Sequence, residues 1–536
     1  MSKLIDQHTK GIMEECKKRA VDAGLDVNDE TLEYIVTNRD LVELSPKIMI
    51  PTLYDYWVHD IEVLQGRGKY ELYPSNPYET VINTRPAISF YNDNNPDWLN
   101  VMIFYHVLGH IDFFRKNHYF RNTWDYDFCG EALSDKRLIA NLRREHGRWV
   151  DYVIEFTRGM DNLVDYWGEL SRTDSRETPK KLGKIDYFFD IFLQTIAEFK
   201  NDNSRQQTYM KWIEEYNRTD GENAFLHAVN QVWPEMPAKY SSYCKESPQS
   251  QKLDPIQYVM KNSQFLNQGK NAWMKAVMEV VRKTSAFFQP QIRTKIMNEG
   301  WASYWHEKLF LTDDRIRGHE VDFARVNAGV TSMPRVGLNP YALGLRLFQW
   351  IEELGDTNKY SLKYKSLSDA IEREKFNERT GQGQEFIFKI RESLCDFSFL
   401  STFVDQGFVT KNDLFVADRY LDEGRRVWVW YVKSRKAVDY RQMLFNVLYH
   451  PPHITVNEAS EVNGLCLKHH FEGKALVKEF ILNTMLGIEY LWGGPVFLET
   501  NEVANIEQRK DGTKKITWQR VLYTMMGKKL KRETMS

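Results

Sequence analysis

Apolar residues recur at helical spacing along most of the chain. The segments "DYVIEFTRGMDNLVDYW", "IDYFFDIFLQTIAEFK", "NAFLHAVNQVW" and "NAWMKAVMEVVRKTSAFF" place apolar side chains three and four positions apart, the stripe that a core-facing helix needs. Before them, "GIMEECKKRAVDAG" ends on a glycine suited to the position after a helix, and "DETLEYIVTNRDLVEL" predicts a second helix. "VINTRPAISFY" is rich in β-branched and aromatic residues and predicts one or two short strands. After the polar turn "NDNN", Asn95-Pro96 reads as a helix cap followed by proline at the first helical position, opening a helix to about Asn117. Asn339-Pro340 opens another amphipathic helix in the same way.

Beyond about Ser401 the texture changes. "RRVWVWYVKS", "HITVNEA", "NGLCLKHHFEG", "GPVFLET" and "KKITWQRVLY" read as strands, and "VDYRQMLFNVLY" and "KALVKEFILNTMLGIEYLW" as helices. The expected fold class is mainly α: a helical region with short strands over residues 1–400, followed by a small α+β domain over residues 401–536.

Composition narrows the function classes. A chain of 536 residues is too long for one core. A net charge of −2 gives no global field to recruit nucleic acid or anionic lipid. The five cysteines are scattered without a CxxC pair, the pattern of a reducing compartment. The first twenty residues lack the apolar core of a secretory signal, and no apolar run approaches the roughly 18 residues of a membrane span. A cytoplasmic protein is expected.

The candidate chemistry begins in "MIFYHVLGHIDFF", residues 102–114, where two histidines stand four apart in an apolar run. On a helix His106 and His110 lie only about 40° apart. Two imidazoles one turn apart can grip a single divalent ion, and two buried, hydrogen-bonded core histidines give the same spacing. A third ligand is offered by "IMNEGWASYWHEKLF", where Glu299 falls among apolar neighbours. A buried carboxylate is costly unless a positive partner offsets it, and a lysine, an arginine or a metal would each do so. Two imidazoles and a carboxylate on Zn²⁺ leave a fourth position open for water, the arrangement of a hydrolase.

These two helices resemble those of the gluzincin aminopeptidases, whose third ligand sits in an "NEG-aromatic-A" segment like Asn298 to Ala302. The resemblance implies a zincin-like helical region with a short strand that pairs with an extended peptide. One departure stands out: the general-base glutamate expected after the first histidine is replaced by Val107.

Over its whole length the chain resembles the SpoVR family of bacterial proteins. The resemblance rests on "INTRPAISFYNDNN", "HVLGHIDFFRKN", "MNEGWASYWH", "LNPYALGLRLF", "IRESLCDFSFL" and "LKHHFEGKAL…LWGGPVFLET". It implies a role in late sporulation and spore-cortex peptidoglycan formation, or in stress physiology alongside a PrkA-type serine kinase. It also carries over His106, His110 and Glu299 as a metal site.

Three further residues are candidates for catalysis. His306 shares the Glu299 face two turns on and is placed to meet substrate. Tyr341 and Arg346 could stabilise an oxyanion or hold a substrate carboxylate, although a capped helix with a surface arginine is the favoured explanation. Adjacent His469 and His470 on a strand point to opposite faces, one to packing and one to the surface.

Two functions remain open. One is a zinc-dependent peptide or amide hydrolase acting on a peptide or peptidoglycan precursor, with its general base unidentified. The other is a catalytically inactive zincin-like adaptor in a PrkA-type kinase pathway. Neither involves nucleic acid or a membrane span.

Overall fold

The computed structural model describes residues 3–27, 31–37, 79–83, 86–120, 123, 128–164, 183–196, 202–219, 221–245, 253–458, 463–508 and 514–535. The chain is mainly helical, with a sheet region near its C-terminus. It divides into two compact units. One comprises residues 1–170, 253–351 and 386–536, and the other residues 171–252 and 352–385.

In the larger unit, strand β1 (Lys3–Leu4) leads into helix α1 (Gln7–Asp22), which is capped by the Asp6 carboxylate accepting from the Thr9 N–H. Gly24, at φ +96°, turns the chain out of α1 as a glycine in that position should. The helix predicted next is instead strand β2 (Thr31–Val36); the remainder of that stretch, 29–30 and 38–44, lies outside the described residues. The correction has a local cause: β-branched and aromatic residues in "TLEYIV" pair in parallel with strand β4 (Ala87–Asn92). Strand β3 (Glu79–Ile82) runs antiparallel to β4, completing a four-stranded sheet in the order β1-β2-β4-β3. One or two short strands were expected over residues 81–91, and β3 and β4 are the two found there.

Helix α2 (Asp97–Lys116) follows. Its cap is Pro96 in an extended conformation, with no side-chain hydrogen bond, so the expected cap at Asn95 is displaced by one residue. Sixteen of its residues, Leu99 to Phe114, are buried without a break. A helix buried all round must be surrounded by other elements, and α2 packs against α1, β3, β4 and the helix at Lys295–Phe310. Later helices are α3 (Trp149–Arg158), α4 (Trp273–Arg293), α5 (Lys295–Phe310), α6 (Glu320–Thr331), α7 (Pro340–Thr357), α8 (Gly383–Ser393) and α9 (Asp396–Phe403). The cap expected at Asn339 is realised: its Oδ1 accepts from the Tyr341 N–H at 3.1 Å.

Past residue 414 come the hairpin β5 (Val416–Asp422) and β6 (Val427–Ser434), then helix α10 (Ala437–Val447). Strands β7 (His453–Val456) and β8 (Leu465–His470), helix α11 (Lys478–Trp492), and strands β9 (Val496–Gln508), β10 (Lys514–Met526) and β11 (Lys529–Thr534) follow. The five strands form one sheet in the order β11-β10-β9-β8-β7. Only β8 and β9 pair in parallel, and α11 is the crossover that such a pair requires.

The smaller unit packs an aromatic core, including Phe188, Phe192, Trp212 and Phe225, between helices Lys184–Tyr187, Asp202–Arg218, Glu222–Val232 and Met236–Lys245. Among the described residues, no helix is long and apolar enough to cross a membrane.

Candidate metal centre

Among the described residues, helices α2 and α5 make the most extensive helix–helix contact, and small residues allow it. A Cβ on Gly109 would lie 2.7 Å from the Cα of Ala302, so the glycine between the two histidines is what lets α5 approach. Helix α7 reaches α5 in the same way: a Cβ on Gly300 would lie 2.4 Å from the Cα of Gly344. The residue before Gly300 is Glu299, and Tyr341 is one turn before Gly344. Backbone contact between glycines therefore sets the side chains of three helices around one point.

At that point stand His106, His110 and Glu299, with one ligand atom of each within 4.8 Å of the others. The Glu299 Oε2 is 3.6 Å from His110 Nε2 and 3.9 Å from His106 Nε2. The two imidazole rings are 4.6 Å apart and perpendicular. Tetrahedral ligands at zinc distances stand about 3.3 Å from one another, and the two Glu299–imidazole separations, 3.6 and 3.9 Å, lie close to that spacing. Glu299 Oε2 is buried and accepts no hydrogen bond.

The nitrogens that face Glu299 are fixed as lone-pair donors by what lies behind them. Asn327 Nδ2 donates to the Glu307 carboxylate at 3.1 Å, which orients Asn327 Oδ1 towards His306. His306 Nε2 therefore donates to that oxygen at 2.9 Å, leaving His306 Nδ1 as an acceptor. His106 Nδ1 is 2.9 Å from His306 Nδ1 and supplies the proton of that bond, while the ring also hydrogen-bonds the Ala302 backbone carbonyl. The lone pair of His106 is then on Nε2, towards Glu299. His110 Nδ1 donates to Asn298 Oδ1 at 2.9 Å, with the same consequence.

Electrostatics agree with the tautomers. Burial, reinforced by the neighbouring His110 and His306, drives the His106 pKa well below the ordinary value of 6.5. Burial likewise lowers His306 to about 4. Both rings are thus neutral at neutral pH. Burial pushes Glu299 up to about 7, against the lowering effects of a Tyr341 hydrogen bond and the Lys295 charge. A second buried carboxylate, Asp396, accepts the Ile296 and Met297 N–H groups at 2.8 and 2.9 Å, anchoring the first turn of α5. Burial raises Asp396 to about 7, and the Glu299 charge adds to that.

Three of the other sequence candidates find their places. Tyr341 hydrogen-bonds Glu299 and lies parallel to the His106 ring at 6.0 Å. His306, expected to meet substrate, is 1% exposed and packed against His106, which leaves it almost no surface of its own. Arg346 is exposed, about 140° around α7 from Tyr341, and the two do not share a face. Asp112 serves α5 from a distance, accepting from the Trp301 indole N–H at 2.8 Å. Sequence reasoning missed Asn327 and Asp396. Asn327 carried a faint signal, since asparagine inside a helix is disfavoured without a partner; Asp396 in "ESLCDFSFL" carried none that separates it from a helix-start acid.

A protein-family model described as SpoVR like protein matches residues 5–447. The chain belongs to the SpoVR-like protein family. It is also similar to the uncharacterized protein YcgB of Escherichia coli (strain K12), at 24% identity over 500 residues, covering 88% of each chain. No solved structure matches. The matched range of the SpoVR-like family model contains all three residues of the centre and both of their supporting asparagines.

Proposed function

We propose that His106, His110 and Glu299 hold a divalent cation, zinc by the character of the ligands, and that the protein is a zincin-like metal-dependent hydrolase of a peptide or amide bond. The observation that carries this reading is the Glu299 Oε2: a buried carboxylate oxygen without a hydrogen bond, facing two imidazole nitrogens whose tautomers turn lone pairs towards it. An ordinary buried carboxylate is hydrogen-bonded; here a cation satisfies all three groups. When bound, such an ion supplies a Lewis acid for a carbonyl and lowers the pKa of water. The residues of the chain hold the geometry: Asn298 and the His306–Asn327–Glu307 series fix the rings, and Tyr341 steadies the carboxylate. By family, the substrate is a peptide in peptidoglycan stems or their precursors, in the setting of spore-cortex formation or stress. Turnover of a murein tripeptide by zinc-loaded protein, abolished in His106→Ala, is the expected result; an inactive wild type with full metal occupancy contradicts it.

A second reading is favoured by Val107, which is fully buried where zincins carry their general base. On that reading the centre is structural, and the protein is an adaptor in a PrkA-type kinase pathway. The murein-peptide assay separates the two, since an adaptor is inactive whether or not it is metal-loaded.

A further inference from the structure

The larger unit contains a cavity of about 620 Å³ that includes none of the residues of the metal centre. Its walls are apolar: Ile481, Met485 and Ile488 from one face of α11, Leu467 and Leu498 from the sheet, and Leu163 after α3. All six are at least nine-tenths buried. This is the size and lining of a small-molecule site.

The polar groups on its lining include three from the segment that follows β8 and from β8 itself. His469 lies on the same face of β8 as Leu467, is 7% exposed, and lines the cavity. Its Nδ1 is engaged with Thr500 Oγ1 at 2.8 Å, and Nε2 has no hydrogen-bond partner among the described residues. Burial lowers the His469 pKa, so the ring offers hydrogen bonding rather than charge at neutral pH. Charge comes from Lys474 on the rim: its ammonium donates only to the Phe445 carbonyl, at 3.4 Å, and forms no ion pair among the described residues. The acid beside it, Glu472, is already engaged by His450 Nε2 at 2.9 Å, and the His450 ring is stacked on Phe397 at 4.0 Å. The mouth therefore presents a cation outside any ion pair, an acid turned to His450, and a buried hydrogen-bonding nitrogen above an apolar chamber.

We infer that this cavity binds a free amphiphilic carboxylate, with its tail among the side chains of α11 and its head at His469 and Lys474. A cationic amphiphile with the same tail meets the same apolar walls but is repelled at Lys474, and an apolar molecule without a head leaves His469 Nε2 unsatisfied. The site is independent of the metal proposal, since no residue is shared.

The test is calorimetric titration of the full-length protein with dodecanoate and with dodecyltrimethylammonium. Saturable binding of one dodecanoate per chain is expected, at least tenfold tighter than the ammonium. Thr484→Trp, which projects a large ring into the cavity from a half-buried position, is expected to abolish binding. Lys474→Glu, on the exposed rim, is expected to weaken dodecanoate at least fivefold and narrow the preference over the ammonium. Unchanged thermal melts show that both variants are folded. The inference is overturned if dodecanoate does not bind, if both amphiphiles bind equally, or if folded Thr484→Trp binds dodecanoate as wild type does.

Discussion

The Nδ1 of His306 is 2.9 Å from the Nδ1 of His106, two hundred positions earlier in the chain. That contact decides which nitrogen of His106 carries its proton, and with Asn327 and Glu307 behind it the choice is fixed from outside the centre. Partners of this kind raise metal affinity without touching the metal.

His306→Phe and Asn327→Leu are accordingly expected to weaken zinc binding by about 10–100-fold while leaving all three ligands in place. Competition with a chromogenic chelator measures this. Affinity within twofold of wild type in both variants contradicts the role given to them.

The helix crossings give a second expectation. A Cβ on Gly344 would lie 2.1 Å from the Ile296 carbonyl oxygen, so Gly344→Ala must push α5 and α7 apart. A loss of about 1–3 kcal/mol is expected for such overpacking, or more where backbone meets backbone. Gly11 on α1 has nothing within 4 Å of its Cβ position. Gly11→Ala is therefore expected to be neutral or to stabilise by up to about 1 kcal/mol. Urea unfolding of metal-free protein compares them; equal effects contradict the close-approach argument.

How far the site was legible in the sequence follows from the same geometry. The two histidines announce themselves because their spacing is local, and the NEG segment because a carboxylate sits in an apolar helix. Most strands and helices after residue 414 alternate or recur clearly enough to be read directly; β5 and the basic β11 do not, and were missed. Tertiary relationships were not readable: that His306 is buried against His106 depends on α2 and α5 meeting at Gly109 and Ala302. Arg346 seemed close to Tyr341 by number, yet helical rotation carries it to the exposed side. Strand β2 was misread as helix because its partner β4 lies more than fifty residues away, and pairing with β4 outweighs local periodicity.

A third expectation concerns Asp112, fully buried and shared by the Trp301 indole, the Asp26 N–H at 2.8 Å and the Arg391 guanidinium at 3.4 Å. Arg391 is itself 3% exposed, lying over the Trp301 and Phe388 rings. Asp112→Ala leaves that buried charge with only the half-exposed Glu392 carboxylate at 3.9 Å, and a loss of about 3–5 kcal/mol is expected. Chemical denaturation reads it, and a loss below about 1 kcal/mol contradicts the pairing.

A fourth is pH dependence. Burial acts to raise the Asp313 pKa, but hydrogen bonds from Arg315 and from the Tyr105 hydroxyl, at 2.7 Å, outweigh it and hold the carboxyl at about 2, below its ordinary 3.8. A depressed carboxyl stabilises the fold fully above its unfolded value and loses that contribution as pH falls through the folded one, here about 2 kcal/mol. The stability gap between wild type and Asp313→Asn is expected to shrink from about pH 4 towards pH 2. A gap that stays constant over that range contradicts the assignment.

The central claim is that three side chains from two helices grip one cation. Elemental analysis of protein purified without chelator, then stripped and reloaded with zinc, tests it directly beside Glu299→Gln. Close to one equivalent of divalent metal per chain in wild type, falling to a small fraction in the variant, is the expected result. Wild type that stays metal-free after reloading, or a variant that retains a full equivalent, contradicts it.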